Sequence, residues 1–154
     1  MHYNILQAVQ SVYNKYKDYD YIDEDLSNYR IKSIKEFNST KGGICWDFVG
    51  PIANDLTAMN IPWKCYFTGL HKNDEMIASH TYIITDSAPR YWIECAWFKH
   101  HGLHKVSSFK VVESLLQKDY SADEAHTLIY NPFDAYGKSV DQFFNYLEEY
   151  ALEL

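Results

Sequence analysis

The sequence predicts an α+β fold, in which N-terminal helices pack on a mostly antiparallel sheet and a C-terminal helix follows. Residues 4–17 carry apolar side chains at intervals of three and four, which is the period of an amphipathic helix. Short aromatic and apolar runs at 63–70, 79–85 and 90–97 have the composition of strands. Residues 139–150 return to helical spacing.

Length and charge restrict the classes of protein that fit the chain. Its 154 residues suit one domain, assigned to 1–154, and 47% hydrophobic residues are enough for a packed core. The formal charge of −7 argues against nucleic acid as a partner, because phosphate contacts need a basic surface. No apolar run is long enough for a membrane span, so no membrane partner is expected. The N-terminus does not resemble a signal peptide. The three cysteines are widely spaced and do not suggest a disulfide framework, so we expect a reducing, cytoplasmic compartment.

The segment between the first helix and Cys45 contains turns and one short helix. Residues 18–28 are acidic and rich in tyrosine, which is typical of a solvated turn. A short helix is predicted for 33–37. Residues 38–43, NSTKGG, combine turn formers with paired glycines and are expected to form a loop.

A helix is predicted to begin at Cys45. Its apolar residues recur at spacings of four, four and three, so one face is expected to be core: Phe48, Ile52, Leu56 and Met59. Pro51 lies well past the first turn, where proline removes a backbone hydrogen bond. We therefore expect a kink or two helical pieces.

The C-terminal half contains the predicted sheet. Residues 71–78 are read as a polar loop between the first two strands, and the turn signal at 86–89 joins the second strand to the third. Residues 98–105 are read as another loop. The remaining elements are a helix capped by Ser107 or Ser108, a strand at 126–130, a turn, and a final helix whose Ser139 and Gln142 have capping-box spacing.

His80 and Glu94 are predicted to face each other across the hairpin between the second and third strands. The midpoint between them is residue 87, inside the turn signal. A loop at 86–88 or at 85–89 would place the two residues opposite each other, with Cβ atoms about 4.5–5.5 Å apart. A four-residue loop would put their side chains on opposite faces.

Cys45 has the setting of a nucleophile. It follows Gly42 and Gly43 and opens a helix, whose backbone N–H groups and dipole favour a thiolate. The glycines leave room for a substrate to approach along the backbone, and the Cys45 N–H is a candidate oxyanion donor. We predict that Cys45 is the nucleophile, His80 its base and Glu94 the group that orients the imidazole.

Four pieces of the sequence together resemble the transglutaminase-like superfamily of papain-type thiol enzymes: GGICWDF, MNIPWKCYFTGL, SHTYII, and YWIECAW followed by FKHHGLH. The resemblance extends over residues 33–110 and is greatest to small bacterial members. It implies a papain-like, transglutaminase-like core and carries Cys45, His80 and Glu94 over as nucleophile, base and acid. The chain departs from the superfamily in having Glu94, where aspartate is commoner. It also lacks a calcium-loop pattern.

Four further residues are candidates for binding substrate or an oxyanion. Asn38 lies upstream of the cysteine, where papain-like enzymes keep a side-chain oxyanion donor, and Gly43 lies two residues before the nucleophile. Trp46 either lines the cleft or packs inward. Trp92 shares a strand face with Glu94 and is placed to shield the pair of His80 and Glu94 from water.

The expected activity is cysteine-dependent acyl transfer on an amide. A peptide or protein supplies the amide, and water or an amine accepts the acyl group; no residue pattern decides between hydrolysis and transamidation. No cofactor and no metal are expected, and the HHxxH of residues 100–104 is read as polar loop side chains. Two alternatives remain: a catalytically inactive scaffold that acts as a binding module, and an acetyltransferase that uses the same thiol. The oligomeric state is not predicted.

Overall fold

The computed structural model describes residues 4–22 and 26–154 and contains five α-helices and eight strands within them. The helices are α1 (Ile5–Tyr16), α2 (Ile34–Thr40), α3 (Cys45–Ala58), α4 (Phe109–Asp119) and α5 (Val140–Tyr150). The strands are β1 (Asp20–Tyr21), β2 (Gly42–Gly43), β3 (Trp63–Lys72), β4 (Glu75–Thr85), β5 (Arg90–Glu94), β6 (Gly102–Val106), β7 (Glu124–Tyr130) and β8 (Leu152–Glu153). None of these helices is both long and apolar enough to cross a bilayer.

The main sheet confirms the α+β prediction. Six strands pair antiparallel in the order β6-β5-β4-β3-β7-β8. A separate pair, β1 with β2, is parallel and joins Asp20–Tyr21 to Gly42–Gly43. The predicted solvated turn at 18–28 therefore includes a short strand, and residues 23–25 of it lie outside the described part of the chain.

Side-chain caps fix the starts of the helices, as the sequence indicated. Ser108 accepts a hydrogen bond from the backbone of Lys110 at the start of α4. Ser139 and Gln142 form the predicted capping box of α5. Ser33 caps α2, which continues to Thr40, so the prediction of a loop over all of 38–43 is wrong.

Helix α3 is continuous, and the expectation of two helical pieces is wrong. Pro51 lies inside it. Every residue from 45 to 53 is buried, so tertiary packing surrounds the turn that loses a backbone hydrogen bond. Packing of this kind routinely overrides local propensity.

Two segments predicted as loops belong to the sheet. Strands β3 and β4 continue to Lys72 and Glu75 and are joined by Asn73 and Asp74, which have positive φ values of 53° and 64°. Such a two-residue turn suits the twist of a hairpin. The loop predicted at 98–105 contains a short 3₁₀ turn and then β6, which pairs with β5 along its whole length.

The two faces of the sheet pack against different helices. On one face, side chains of β3, β4 and β5 such as Phe67 and Ile83 join a large core with α1, α2, α3 and α5, and Cys45 belongs to this core. On the other face, Tyr66, Tyr82 and Trp92 pack against α4. Because side chains alternate along a strand, His80 shares the second face with Tyr82, and Glu94 shares it with Trp92.

Candidate active site

Cys45 is the first residue of α3, and a buried carboxylate fixes the turn that presents it. Asp47 accepts hydrogen bonds from the backbone N–H groups of Ile44, at 2.9 Å, and Lys32, at 2.7 Å. The Tyr29 hydroxyl donates a further hydrogen bond to Asp47. The carboxylate thus joins the start of the helix to the preceding segment of the chain.

The two glycines before Cys45 make room for other parts of this chain. A Cβ atom on Gly43 would lie 2.7 Å from the Cβ of Asp47, and one on Gly42 would lie 2.9 Å from the backbone oxygen of Asp20. Ile22 donates its backbone N–H to the oxygen of Gly43 at 3.0 Å. Both glycines are buried. The prediction that substrate approaches along this glycine backbone is therefore wrong, because β1 already lies there.

His80 and Glu94 form a buried pair on neighbouring strands. The Nε2 atom of His80 lies 2.6 Å from Oε1 of Glu94. The exposed fractions of the two residues are 6% and 2%. The contact predicted between them is present, and its geometry is that of an imidazole donating to a carboxylate.

The register of the hairpin differs from the prediction. Ile84 pairs with Trp92, which centres the hairpin on residue 88 and leaves His80 and Glu94 two residues out of register. The turn is displaced because Thr85 still pairs with Trp63 of β3 and belongs to the strand. Moving the midpoint by one residue preserves the side-chain faces. Diagonal neighbours are about 7–8 Å apart, and two long side chains can span that gap.

Further hydrogen bonds hold the Glu94 carboxylate in the ionised form. Its Oε1 accepts from Nε1 of Trp92 at 3.2 Å, and its Oε2 accepts from the backbone N–H groups of Ala96 and Trp97 at 3.0 and 2.8 Å. Burial alone would raise the pKa of Glu94, but the charge of His80 and these hydrogen bonds outweigh it and lower that pKa. The carboxylate is therefore a fixed negative partner for the imidazole.

Cys45 lies close enough to His80 to affect the pKa of its imidazole. Burial alone would lower the pKa of His80, but the charge of Glu94, hydrogen bonding with Cys45 and Glu94, and the charge of Cys45 raise it. Nε2 is occupied by Glu94, which leaves Nδ1 to interact with the sulfur. The structure brings the three predicted side chains together at the point where α3, β4 and β5 meet.

The other two cysteines are buried thiols in different surroundings. Burial raises the pKa of Cys65 to about 12. Burial and the charge of Glu94 also raise the pKa of Cys95. Within the described residues all three cysteines are free of disulfides. Cys65 and Cys95 therefore have the character of inert core residues.

The three secondary candidates other than Gly43 occupy different settings. Trp92 is 1% exposed and donates to Glu94, as its predicted shielding position requires. Trp46 packs inward, with its ring 4.7 Å from that of Phe143, so it does not line a cleft. The side-chain oxygen of Asn38 accepts a hydrogen bond from the Tyr19 hydroxyl at 2.9 Å, and its oxyanion role remains a prediction.

Three residues near the site were not singled out from the sequence. Asp47 follows Ile44 by three positions, which is the spacing of a helix-capping carboxylate, so a local signal existed. The ring of Trp97 lies 5.5 Å from that of His80, and the ring of Tyr120 stacks on Trp97 at 6.4 Å. No local pattern identifies this contact, because 23 positions separate Tyr120 from Trp97.

The three histidines of HHxxH have separate partners. His100 lies 2.7 Å from Asp119, His101 lies 2.8 Å from the hydroxyl of Tyr13, and His104 donates to the backbone oxygen of His100 at 2.6 Å. Within residues 4–22 and 26–154, no three or more His, Cys, Asp or Glu side chains are grouped to hold a metal ion.

Comparisons with known proteins support the fold. No protein-family model matches the chain, and no curated protein matches it. Among solved structures, the chain is similar to calcium-bound LapG of Legionella pneumophila, with a TM-score of 0.55 and 14% identity over 89% of this chain and 74% of that one. A sequence identity of 14% supports a similarity of fold and nothing more. The chain has an α+β fold of the papain-like, transglutaminase-like type.

Proposed function

We propose that this protein is a cysteine-dependent enzyme that transfers an acyl group from an amide. Cys45 is the nucleophile, His80 the base and Glu94 the group that orients His80. The observation that carries the proposal is the buried 2.6 Å contact between Nε2 of His80 and Oε1 of Glu94, next to a cysteine at a helix N-terminus. LapG, whose fold is similar, is a transglutaminase-like cysteine protease, which supports a protease-like activity.

The first half of the reaction uses the proton that Cys45 gives to His80. The thiolate attacks the amide carbonyl, and the backbone N–H groups at the start of α3 stabilise the developing oxyanion. His80 then donates its proton to the leaving amine as the C–N bond breaks. The products are a free amine and a thioester on Cys45.

The second half returns the enzyme to its starting state. Water or a second amine attacks the thioester carbonyl and gives its proton to His80, and the C–S bond breaks to release the thiolate. With water the net reaction is hydrolysis, and with an amine it is transamidation. Glu94 stabilises the imidazolium throughout, because it is buried, ionised and hydrogen-bonded to Nε2.

The burial of Cys45, His80 and Glu94 favours one alternative, a catalytically inactive scaffold. Cys45 is 7% exposed, His80 6% and Glu94 2%, so a substrate has a narrow approach to the sulfur. A catalytically inactive scaffold that binds partners through another surface would have the same burial. The acetyltransferase alternative would be selected by consumption of acetyl-CoA without cleavage of an amide.

Alkylation by iodoacetamide at pH 6 tests the proposal. We expect rapid labelling of Cys45 in the wild type, and slower labelling of Cys65 and Cys95, whose pKa values burial raises. Cys45→Ala should abolish the rapid phase, His80→Ala should slow it, and Cys65→Ala is the matched control that should leave it unchanged. Equal slow labelling of all three cysteines in a folded wild type would reject the activated thiol and select the inactive scaffold.

A screen of peptide amides then defines the reaction. Wild type and Cys45→Ala are incubated with the library, with and without a primary amine, and the products are measured by mass spectrometry. Cleavage by the wild type alone identifies hydrolysis, and incorporation of the amine identifies transamidation.

A further inference from the structure

An exposed aromatic surface lies directly beside the candidate catalytic pair. We define it by the rings of Trp97 and Tyr120 and call it the aromatic shelf. Trp97 is half-buried, and its ring lies 5.5 Å from that of His80. Tyr120 is 44% exposed and stacks on Trp97 with an interplanar angle of 25°. The next residue along the chain from Trp97, Phe98, is 87% exposed.

The shelf is held rigidly in place. The backbone N–H of Trp97 donates to Glu94 at 2.8 Å, so the same carboxylate orients both His80 and the backbone of the shelf. The ring of Trp97 also lies 4.3 Å from that of His100, which is 2.7 Å from Asp119 at the end of α4. A preformed aromatic surface loses little freedom when it binds a ligand.

The shelf also lies near the nucleophile. Burial, and then the charge of Cys45, raise the pKa of Tyr120, which agrees with the geometric path from His80 through Trp97 to Tyr120. These rings are therefore within reach of a substrate whose carbonyl lies at Cys45. Exposed aromatic rings beside a reactive centre are suited to stacking and apolar contact.

The local charges favour an apolar ligand over a basic one. Asp119 is the carboxylate next to the shelf, and it is already paired with Lys99 at 3.1 Å and His100 at 2.7 Å. Its charge is therefore compensated within the protein. A lysine or arginine side chain of a substrate would have to displace one of these partners to gain an ion pair.

We propose that the aromatic shelf selects the substrate, and that the residue whose carbonyl Cys45 attacks carries an aromatic side chain that stacks on Trp97 and Tyr120. This inference rests on the proposed acyl transfer and adds a substrate class to it. Stacking of one aromatic pair corresponds to a preference of about threefold to tenfold over alanine.

Matched affinity labels test this proposal on the intact chain. N-acetylated chloromethyl ketones of phenylalanine, alanine and lysine differ in the side chain next to the reactive carbon, and their second-order rates with Cys45 are compared with the rate of iodoacetamide. We expect the phenylalanine reagent to react about threefold to tenfold faster than the alanine reagent. Tyr120→Ala should bring that ratio close to one, whereas Tyr120→Phe, which keeps the ring, should preserve it. Tyr150→Ala removes an exposed tyrosine outside the shelf and is the matched control.

The outcomes separate this proposal from the one it rests on. If iodoacetamide labels Cys45 selectively but the phenylalanine and alanine reagents react equally, the shelf proposal is wrong and the activated thiol stands. A faster reaction of the lysine reagent would also overturn it. If Cys45 is not labelled selectively, the proposed acyl transfer has failed first. Should Tyr120→Ala not fold, Tyr120→Gln provides the same loss of the ring, and the ratio in the wild type decides by itself.

Discussion

His80 and Glu94 make a 2.6 Å hydrogen bond although they are two residues out of register on adjacent strands. A diagonal pair is separated by about 7–8 Å at the backbone, farther than a directly opposed pair. The longer side chain of glutamate closes this gap. The geometry thus gives a physical reason for glutamate, and not the shorter aspartate, at this position.

Shortening the acid should therefore break the pair. In Glu94→Asp the carboxylate no longer reaches Nε2 of His80, and the orientation of the imidazole is lost. We expect kcat/KM on the best amide of the library to fall about 100-fold or more. Glu75→Asp makes the same change at an exposed position of β4 and should have little effect. Unchanged kinetics in a folded Glu94→Asp would show that the diagonal contact is not needed.

Removing the charge of the acid should change the pH profile. Glu94 raises the pKa of His80 by its charge and its hydrogen bond, so Glu94→Gln should lower that pKa. In the proposed mechanism His80 acts as an acid when the amine leaves, so the alkaline limb of kcat/KM should move to lower pH in the variant. The measurement is kcat/KM from pH 5 to 10 for both proteins. Coincident alkaline limbs would contradict an acid role for His80.

The same pair should make stability depend on pH. The raised pKa of His80, about 10 against 6.5 in the unfolded chain, stabilises the fold fully below pH 6.5, and this contribution is lost as pH rises toward 10. The lowered pKa of Glu94 stabilises the fold above its ordinary value of 4.5, and this contribution is lost as pH falls. The free energy of unfolding of wild type should therefore exceed that of Glu94→Gln most between pH 4.5 and 6.5, by about 3–5 kcal/mol. Urea unfolding at pH 5.5 and 9.5 measures the change, and an equal difference at both pH values would contradict it.

Asp47 should support both the fold and the reactivity of Cys45. Asp47→Asn keeps the size of the side chain but replaces one acceptor oxygen with a donor that faces the N–H of Ile44 or Lys32. We expect a loss of about 1–3 kcal/mol in the free energy of unfolding. Slower alkylation of Cys45 should accompany it. Asp141→Asn, in the exposed first turn of α5, is the control and should change neither quantity.

Gly43 should not tolerate a side chain, because Asp47 occupies the space that a side chain would need. In Gly43→Ala the new methyl group would meet the Cβ of Asp47 at 2.7 Å, so the start of α3 must move. We expect a loss of about 1–3 kcal/mol. In Gly69→Ala the methyl group meets the flexible end of Met76 at 2.8 Å, so this control should cost less. Thermal unfolding compares the stabilities of Gly43→Ala and Gly69→Ala. Equal losses would show that the contact with Asp47 is no more costly than the contact with Met76.

Local patterns predicted the helices well because each carries its own signal. The capping box of Ser139 and Gln142 and the apolar period of residues 4–17 are both present as expected. The turn at Asn73 and Asp74 was missed because its neighbours His71 and Lys72 are polar, and β6 was missed for the same reason. These strand segments are set by pairing with β4 and β5, which no local pattern contains.

The sequence predicted which side chains of the candidate site share a face of the sheet, but not the contacts that surround them. The alternation of side chains along strands placed His80 and Glu94 on one face of the sheet. That conclusion still holds although the turn lies one residue later than predicted. The surroundings of Trp46 and the position of Tyr120 depend on contacts between distant segments. The extent of the single domain from 1 to 154 and the cytoplasmic location stay predictions.

The sulfur and its partners come from opposite faces of one sheet: Cys45 belongs to the core with α1, α2, α3 and α5, while Tyr82 and Trp92, beside His80 and Glu94, pack against α4. Their alignment therefore depends on two hydrophobic interiors that can be damaged one at a time. A substitution such as Leu116→Ala in the interior beside α4 would shift the imidazole by a fraction of an ångström and remove the proposed activity from a protein that still unfolds cooperatively. Screens that select for stable folding alone would miss such variants.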